Sequence, residues 1–396
     1  MVNPAPYWLN GTAYSREELI SFCEAQLRAP GTLSWELAIF RFIRDYFDET
    51  IPLVQKTSGT TGDPKNIVLN RNSMIRSAQM TINHFHLLPR SGALLCLPVA
   101  YIAGKMMVVR ALVGGLHLVT VEPSGSPLRK LEETVEGELN ELGSLDSVDF
   151  AAMVPLQLHE TLKDDGARAK LEKIGKLLIG GGEINPALRE EIGKLRSVEV
   201  YESFAMSETY THFAVRRING EQPDPFFKVL EGVQIGTDRR GCLVIDVPGV
   251  TDRAEVSNDL VRIVSDQEFE WLGRIDNVIK SGGVKIVPEI LEKKIAELTG
   301  REVLVLGVPD KKLGQKLVLV VEEGKVQQSD RNTGDLRSAT TVSQPTRLKQ
   351  IFSKAALSKV LHDHEIPKEI VTVPAFPRNS SMKIDRKAVR KMMDDR

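Results

Sequence analysis

The 396-residue chain lacks any excess of charge of one sign, with 52 lysines and arginines against 53 aspartates and glutamates. That balance leaves no electrostatic footprint for nucleic acid or an acidic membrane and points to a small-molecule partner. Cysteine is nearly absent. Cys23, Cys96 and Cys242 are odd in number and far apart, so neither a disulfide framework nor a zinc site is expected, and a reducing cytoplasm fits. No apolar run reaches the ~18 residues of a membrane span. The opening Met1-Val2-Asn3-Pro4-Ala5-Pro6 has no basic and apolar leader pattern, so a soluble, cytoplasmic protein is expected. The pairs His84/His86 and His362/His364 have ligand-like spacing, but with no third ligand nearby they read as solvated or capping histidines.

What the chain does have is alternation. Capped, amphipathic stretches are expected as helices over 15–27, 34–47 and 71–86. Apolar runs and helical periods then alternate: strand 93–98, helix 103–113, strand 116–121, helix 128–140, strand 150–154, helix 155–162, strand 177–179, helix 186–195 and strand 198–201. This pattern predicts a layered α/β fold with mostly parallel strands. From Phe226 the pattern shifts to short strands over 229–235, 242–247 and 260–264, read as a small β unit closing the first domain. Beyond it, helices over 288–299 and 348–360 and strands over 302–308, 317–322 and 369–373 make a compact α+β domain. The polar stretch 326–346 is expected to be a mobile loop. A chain this long exceeds one ordinary core, and the division expected is 1–273 and 277–396, with a hinge at 274–276.

The densest chemistry lies in Thr57-Ser58-Gly59-Thr60-Thr61-Gly62-Asp63-Pro64-Lys65. Glycines let backbone N–H groups turn toward an anion, hydroxyls add donors, and Lys65 adds a charge. Apolar residues on both sides make it strand, loop, strand. It is no Walker loop, because Pro64 precedes the lysine and Asn66 follows it. By local chemistry alone, a plain turn stays open.

Five segments in order resemble the adenylate-forming superfamily, which includes acyl-CoA synthetases, luciferases and adenylation domains. Residues 57–65 resemble its phosphate loop. Tyr201-Glu202-Ser203-Phe204-Ala205-Met206-Ser207-Glu208-Thr209 is similar to its Tyr-Gly-x-Thr-Glu segment, and Ser257-Asn258-Asp259-Leu260 to its Thr-Gly-Asp-Leu. Residues 273–285 and 378–386 resemble its hinge and terminal-lysine motifs. The resemblance implies ATP, Mg²⁺ and coenzyme A as co-substrates. On it, Thr57, Ser58, Gly59, Thr60, Thr61, Gly62 and Lys65 hold the phosphates, with Ser207 nearby, and Glu208 contacts the metal. Gly181, Gly182 and Glu183 form the adenine loop, and Asp259 with Arg274 holds the ribose. Lys383 carries charge to the reacting carboxylate and α-phosphate, Asp276 is the pivot, Gly283 lines the pantetheine path and Lys285 reaches the AMP phosphate.

The acid is read from Leu97-Pro98-Val99-Ala100-Tyr101-Ile102-Ala103-Gly104, similar to the family's Leu-Pro-x-x-His-x-x-Gly with Tyr101 in place of His. Lys105 and Arg110 follow on the helix, and a basic residue in an apolar helix needs solvent or an anion. An arginine at this offset is similar to the o-succinylbenzoate:CoA ligases of menaquinone biosynthesis. Tyr101, Lys105, Arg110 and His212 are therefore the candidate acid-binding residues, and a surface position for Arg110 stays open. Another carboxylic acid, a phosphoryl-transfer enzyme and a non-catalytic nucleotide-binding protein are the alternatives.

Overall fold

The computed structural model describes residues 6–56, 66–129, 131, 148–206, 208–323, 348, 350–378 and 383–394. A central sheet carries the architecture. Its parallel part runs β1 (Tyr7–Leu9), β6 (His117–Thr120), β5 (Gly92–Leu95), β7 (Val148–Met153), β8 (Lys176–Ile179) and β9 (Glu199–Ala205), with β2 (Thr12–Tyr14) antiparallel on the edge. Every residue of β5 is buried, as a strand covered on both faces requires.

Side-chain alternation splits the interior into two layers. Ala93, Leu95, Phe150, Ala152 and Leu178 face a core shared with α1 (Arg16–Arg28), α2 (Ser34–Phe47), α3 (Arg71–Phe85) and α4 (Ile102–Gly114). Leu94, Cys96, Ala151, Met153, Leu177 and Ile179 face the other way, onto α5 (Pro155–Leu162), α6 (Asp165–Leu171) and α7 (Pro186–Gly193). The helix starts follow local chemistry. Ser15 closes a capping box with Glu18 on α1, Asn70 caps α3, and Pro155 and Pro186 open α5 and α7.

The small β unit expected to close the first domain is an extension of this sheet. From β9 the order continues antiparallel through β10 (His212–Arg217), β11 (Phe227–Val229), β15 (Glu268–Arg274), β14 (Glu255–Ile263), β13 (Cys242–Asp246) and β12 (Gln234–Thr237). The strand expected over 229–235 is two strands, because Gly232 turns between them at φ 84°. Phe204, Phe213, Phe227 and Phe269 pack ring to ring where the sheet changes from parallel to antiparallel.

A second sheet follows a short 3₁₀ turn, Ile275–Asn277. It comprises β16 (Ile279–Ser281), β17 (Val284–Ile286), β18 (Val303–Asp310), β19 (Gly314–Glu322) and β20 (Glu369–Val373). One face packs on α8 (Pro288–Thr299) and on α9 (Lys354–Leu357), and the other on Phe376 and on Val389 of α10 (Arg386–Asp394). The single helix expected over 348–360 is broken, since Ser353 sits in extended backbone and caps a new turn at Lys354. The helix expected over 128–140 and the loop expected over 326–346 fall largely or wholly outside the described residues. No described helix is long and apolar enough to cross a membrane, and all three cysteines are buried and unbridged.

Candidate active site

The carboxyl ends of the parallel strands converge on one rim, where open α/β sheets place their ligands. From β8 the chain enters Gly180-Gly181-Gly182-Glu183. A Cβ on Gly180 would collide with the Ser203 hydroxyl, which donates to the Ile179 carbonyl, and Gly181 turns at φ 77°. From β9 the chain reaches the exposed Glu208, then Tyr210 in left-handed backbone at φ 62°. Such backbone is costly for an aromatic residue. It is over-determined here because Thr209 bonds the backbone at Met206 and Thr211 and the Asn70 N–H donates to the Tyr210 hydroxyl.

The loop of residues 57–65 lies outside the described residues, as does Ser207, but its base is fixed. The strands expected on either side of the loop are β3 (Leu53–Lys56) and β4 (Asn66–Leu69), and they pair as an antiparallel hairpin. Lys105 Nζ donates to the Val54 carbonyl and to Gln55 Oε1, both at 2.8 Å, and Gln55 donates to the Ala100 carbonyl. Partial burial lowers the Lys105 pKa. Lys105 therefore fastens the hairpin to the rim, while Tyr101 caps α4 with 63 % of its surface exposed.

Arg110 points the other way, into the core, and is 2 % exposed. Its Nη2 lies 3.4 Å from Thr211 Oγ1 and its Nη1 3.5 Å from the Met107 sulfur, both weak contacts for a guanidinium. Its Nε has no partner among the described residues, and no ion pair to it is found there. Around it, Ser77 and Thr211 share a 3.0 Å hydroxyl contact, and Thr81 lies 3.4 Å from His212 Nε2. Burial pushes Arg110 down to about 9, so it remains a cation at neutral pH. Burial, with Arg110 and His84 nearby, holds His212 well below its ordinary value, hence neutral. A buried cation with only neutral hydroxyls and a neutral imidazole beside it among the described residues is costly to the fold. Ser77 and Thr81 escaped the sequence reading, although hydroxyls four apart on a buried helix face were the available signal.

A third cluster sits on β14 and β15. Asp259 stands opposite Arg274 in the ladder, and Arg274 Nη1 lies 3.7 Å from its carboxylate. Arg274 also pairs with Asp276 at 3.1 Å, and Asn258 donates to the Asp276 carboxylate at 3.2 Å. The Trp271 indole donates to Asp259 Oδ1 at 3.0 Å; sequence reasoning missed this residue.

The second domain contributes Lys383. An antiparallel bridge between Arg378 and Ile384 closes the segment that carries it, Arg378 pairs with Glu302, and Arg386 pairs with Glu292. Glu183 lies within electrostatic reach of this group. Its carboxyl reaches solvent, yet surrounding protein raises its pKa, as does Glu302, while Lys383, Arg386 and Arg378 pull it back. Gly283 and Lys285 join none of these clusters and stand on the exposed β16–β17 hairpin, with Gly283 at φ 87°.

Residues 48–233 match the family described as AMP-binding enzyme. The crystal structure of an acyl-CoA synthetase (AMP-forming)/AMP-acid ligase II-like protein from Dyadobacter fermentans is 33% identical, covers 94% of this chain and 98% of its own, and superposes with a TM-score of 0.57. The chain belongs to the AMP-binding, adenylate-forming enzyme family. It is an AMP-forming acid–thiol ligase. A probable 2-succinylbenzoate–CoA ligase of Mycobacterium tuberculosis is 27% identical over 380 residues, 88% of the ligase and 86% of that protein. The o-succinylbenzoate coenzyme A synthetase of Bacillus subtilis, solved with ATP and magnesium ion, is 19% identical over 85% of the ligase and 69% of its own chain, with a TM-score of 0.61, and shares the fold. The ligase thus has a rim at the carboxyl ends of its parallel strands, a buried arginine behind it and Lys383 of the second domain within electrostatic reach of Glu183.

Proposed function

We propose that the ligase activates o-succinylbenzoate, forming o-succinylbenzoyl-CoA through an acyl-adenylate. One carboxylate attacks the α-phosphorus of ATP, the bond from that phosphorus to the bridging oxygen breaks, and pyrophosphate leaves. The coenzyme A thiol then attacks the acyl carbon and AMP leaves. The observation that carries the choice of acid is the buried guanidinium of Arg110, which has no ion pair among the described residues. A monocarboxylic acid spends its only charge at the reacting end, whereas a dicarboxylic acid retains a second carboxylate that Arg110, Ser77, Thr211 and neutral His212 can receive. The 2-succinylbenzoate–CoA ligases among the relatives, at 22% to 27% identity, support the same reading.

Residues 1–273 act as the body and 277–396 as the moving domain, pivoting at Asp276. Asp259 and Arg274 take the ribose, and Gly181, Gly182 and Glu183 the adenine. Glu208, an exposed carboxylate on the rim, would hold a Mg²⁺, a hard cation that takes oxygen ligands. That ion supplies charge neutralisation on the triphosphate. Lys383 sits on a braced segment facing the adenine loop, so it can meet negative charge developing at the α-phosphate.

Incubation with ATP, Mg²⁺, coenzyme A and o-succinylbenzoate, with products resolved by mass, tests the proposal. AMP and the o-succinylbenzoyl thioester are expected. Lys383→Ala should slow pyrophosphate exchange by about 10²- to 10³-fold, the scale for losing a preorganised charge, and leave thioester formation from pre-made adenylate much less affected. AMP with only a different acid would remove o-succinylbenzoate, and ADP as product would move the protein to phosphoryl transfer.

A further inference from the structure

Trp271 is 38 % exposed, unusual for an indole that contributes little to the core beneath it. Its only polar atom is spent on one carboxylate oxygen, Asp259 Oδ1, at 3.0 Å across a sequence separation of 12. The strand pairing explains the reach. The ladder runs Asp259 to Arg274 and Leu260 to Gly273, then shifts to Val261 opposite Trp271 and passes over Leu272. Such a bulge re-aims a side chain, and here it brings the indole back to Asp259.

Asp259 is otherwise lightly held. Its backbone N–H donates to Ser257 Oγ, which fixes the main chain, and Arg274 stands off at 3.7 Å while shared with Asp276. We propose that Trp271 is a positioning residue for nucleotide recognition: its indole N–H fixes the Asp259 carboxylate in the rotamer that accepts the ribose hydroxyls. An indole N–H only donates, so it holds a carboxylate in its acceptor role without competing for the sugar. The inference rests on the ribose role of Asp259 proposed above.

The test is pyrophosphate exchange with ATP, 2′-deoxy-ATP and 3′-deoxy-ATP for the unmodified ligase, Trp271→Phe, Asp259→Asn and the double variant. Phenylalanine keeps the ring and removes the donor, and thermal unfolding checks that the fold persists. Trp271→Phe should shrink discrimination against the deoxynucleotides by about five- to tenfold, the scale of one ordinary hydrogen bond, with kcat for ATP within about twofold. It should add nothing in the Asp259→Asn background. Discrimination lost in Asp259→Asn but intact in Trp271→Phe would overturn the positioning role and leave the ribose reading standing. Equal use of all three nucleotides by the unmodified ligase, or discrimination unchanged in Asp259→Asn, would overturn both.

Discussion

A guanidinium buried against a methionine sulfur and one hydroxyl, with no ion pair among the described residues, is a standing cost to the folded chain, and that cost makes Arg110 informative. Where a buried ion has no partner, an apolar residue of similar volume is commonly neutral or stabilising by about 1–4 kcal/mol. Arg110→Met should therefore raise the melting temperature of the substrate-free ligase or leave it unchanged. The same change should lower kcat/KM for o-succinylbenzoate by about 30-fold or more, since losing one partner of a buried charge pair costs about 2–5 kcal/mol. Thermal melts beside steady-state kinetics read both, and a variant that loses stability and activity together would make Arg110 a structural residue. Half of this was legible in the sequence. An arginine among Met106, Met107, Val108 and Val109 stands out, but its surroundings do not, because Ser77 and Thr211 meet across 134 residues and Thr81 and His212 across 131.

At the scale of elements, α4 matters because one helix holds Lys105 on the β3–β4 hairpin and Arg110 in the core, the two positions proposed for phosphate and acid. Its start is pressed against the loop before it: a Cβ on Gly104 would lie 2.6 Å from the Pro98 carbonyl carbon and 2.9 Å from the Leu97 carbonyl oxygen. Both neighbours are backbone, so a side chain cannot simply rotate away. Gly104→Ala should cost about 1–3 kcal/mol, as overpacking does, and raise KM for ATP and acid together because both anchors shift with the helix. Denaturant titration and paired KM values check it, and an unchanged KM with lower stability would confine the effect to folding. Strongly periodic elements such as α2, α5 and α8 were legible almost to the residue. The strand β10 was not, because its apolar residues follow directly on the Tyr210 turn and its last two positions are arginines. The break at Ser353 was hidden as well, since apolar spacing continues through it and only the capping hydroxyl marks the new start.

Across the whole molecule, the sequence predicts a large α/β part followed by a smaller α+β part, but not that the first is one continuous sheet or that Lys383, Arg386 and Arg378 of the second come within electrostatic reach of Glu183. Tertiary pairing decides both, and neither leaves a local period. Within that second unit, Glu292 joins the lysine segment to α8. Its carboxylate accepts from the Val305 N–H at 2.7 Å and pairs with Arg386, the first residue of α10, while Arg386 also donates to the Val305 carbonyl. Burial raises Glu292 to about 7, outweighing the pull of Arg386 and of the Val305 N–H, with Glu289 adding to the rise. A carboxyl whose folded pKa exceeds its unfolded value binds its proton more tightly in the folded state. The stability it confers is complete below about pH 4.5 and is lost as pH rises through about 7. The shift corresponds to about 3 kcal/mol. Hydrogen exchange at Val305, compared with Glu292→Gln at each pH to remove the intrinsic rate, should show protection in the unmodified ligase falling between pH 5 and about 8 relative to the variant. A ratio that stays flat would mean that Arg386 keeps Glu292 ionised throughout, and that the hold on the lysine segment does not change over this pH range.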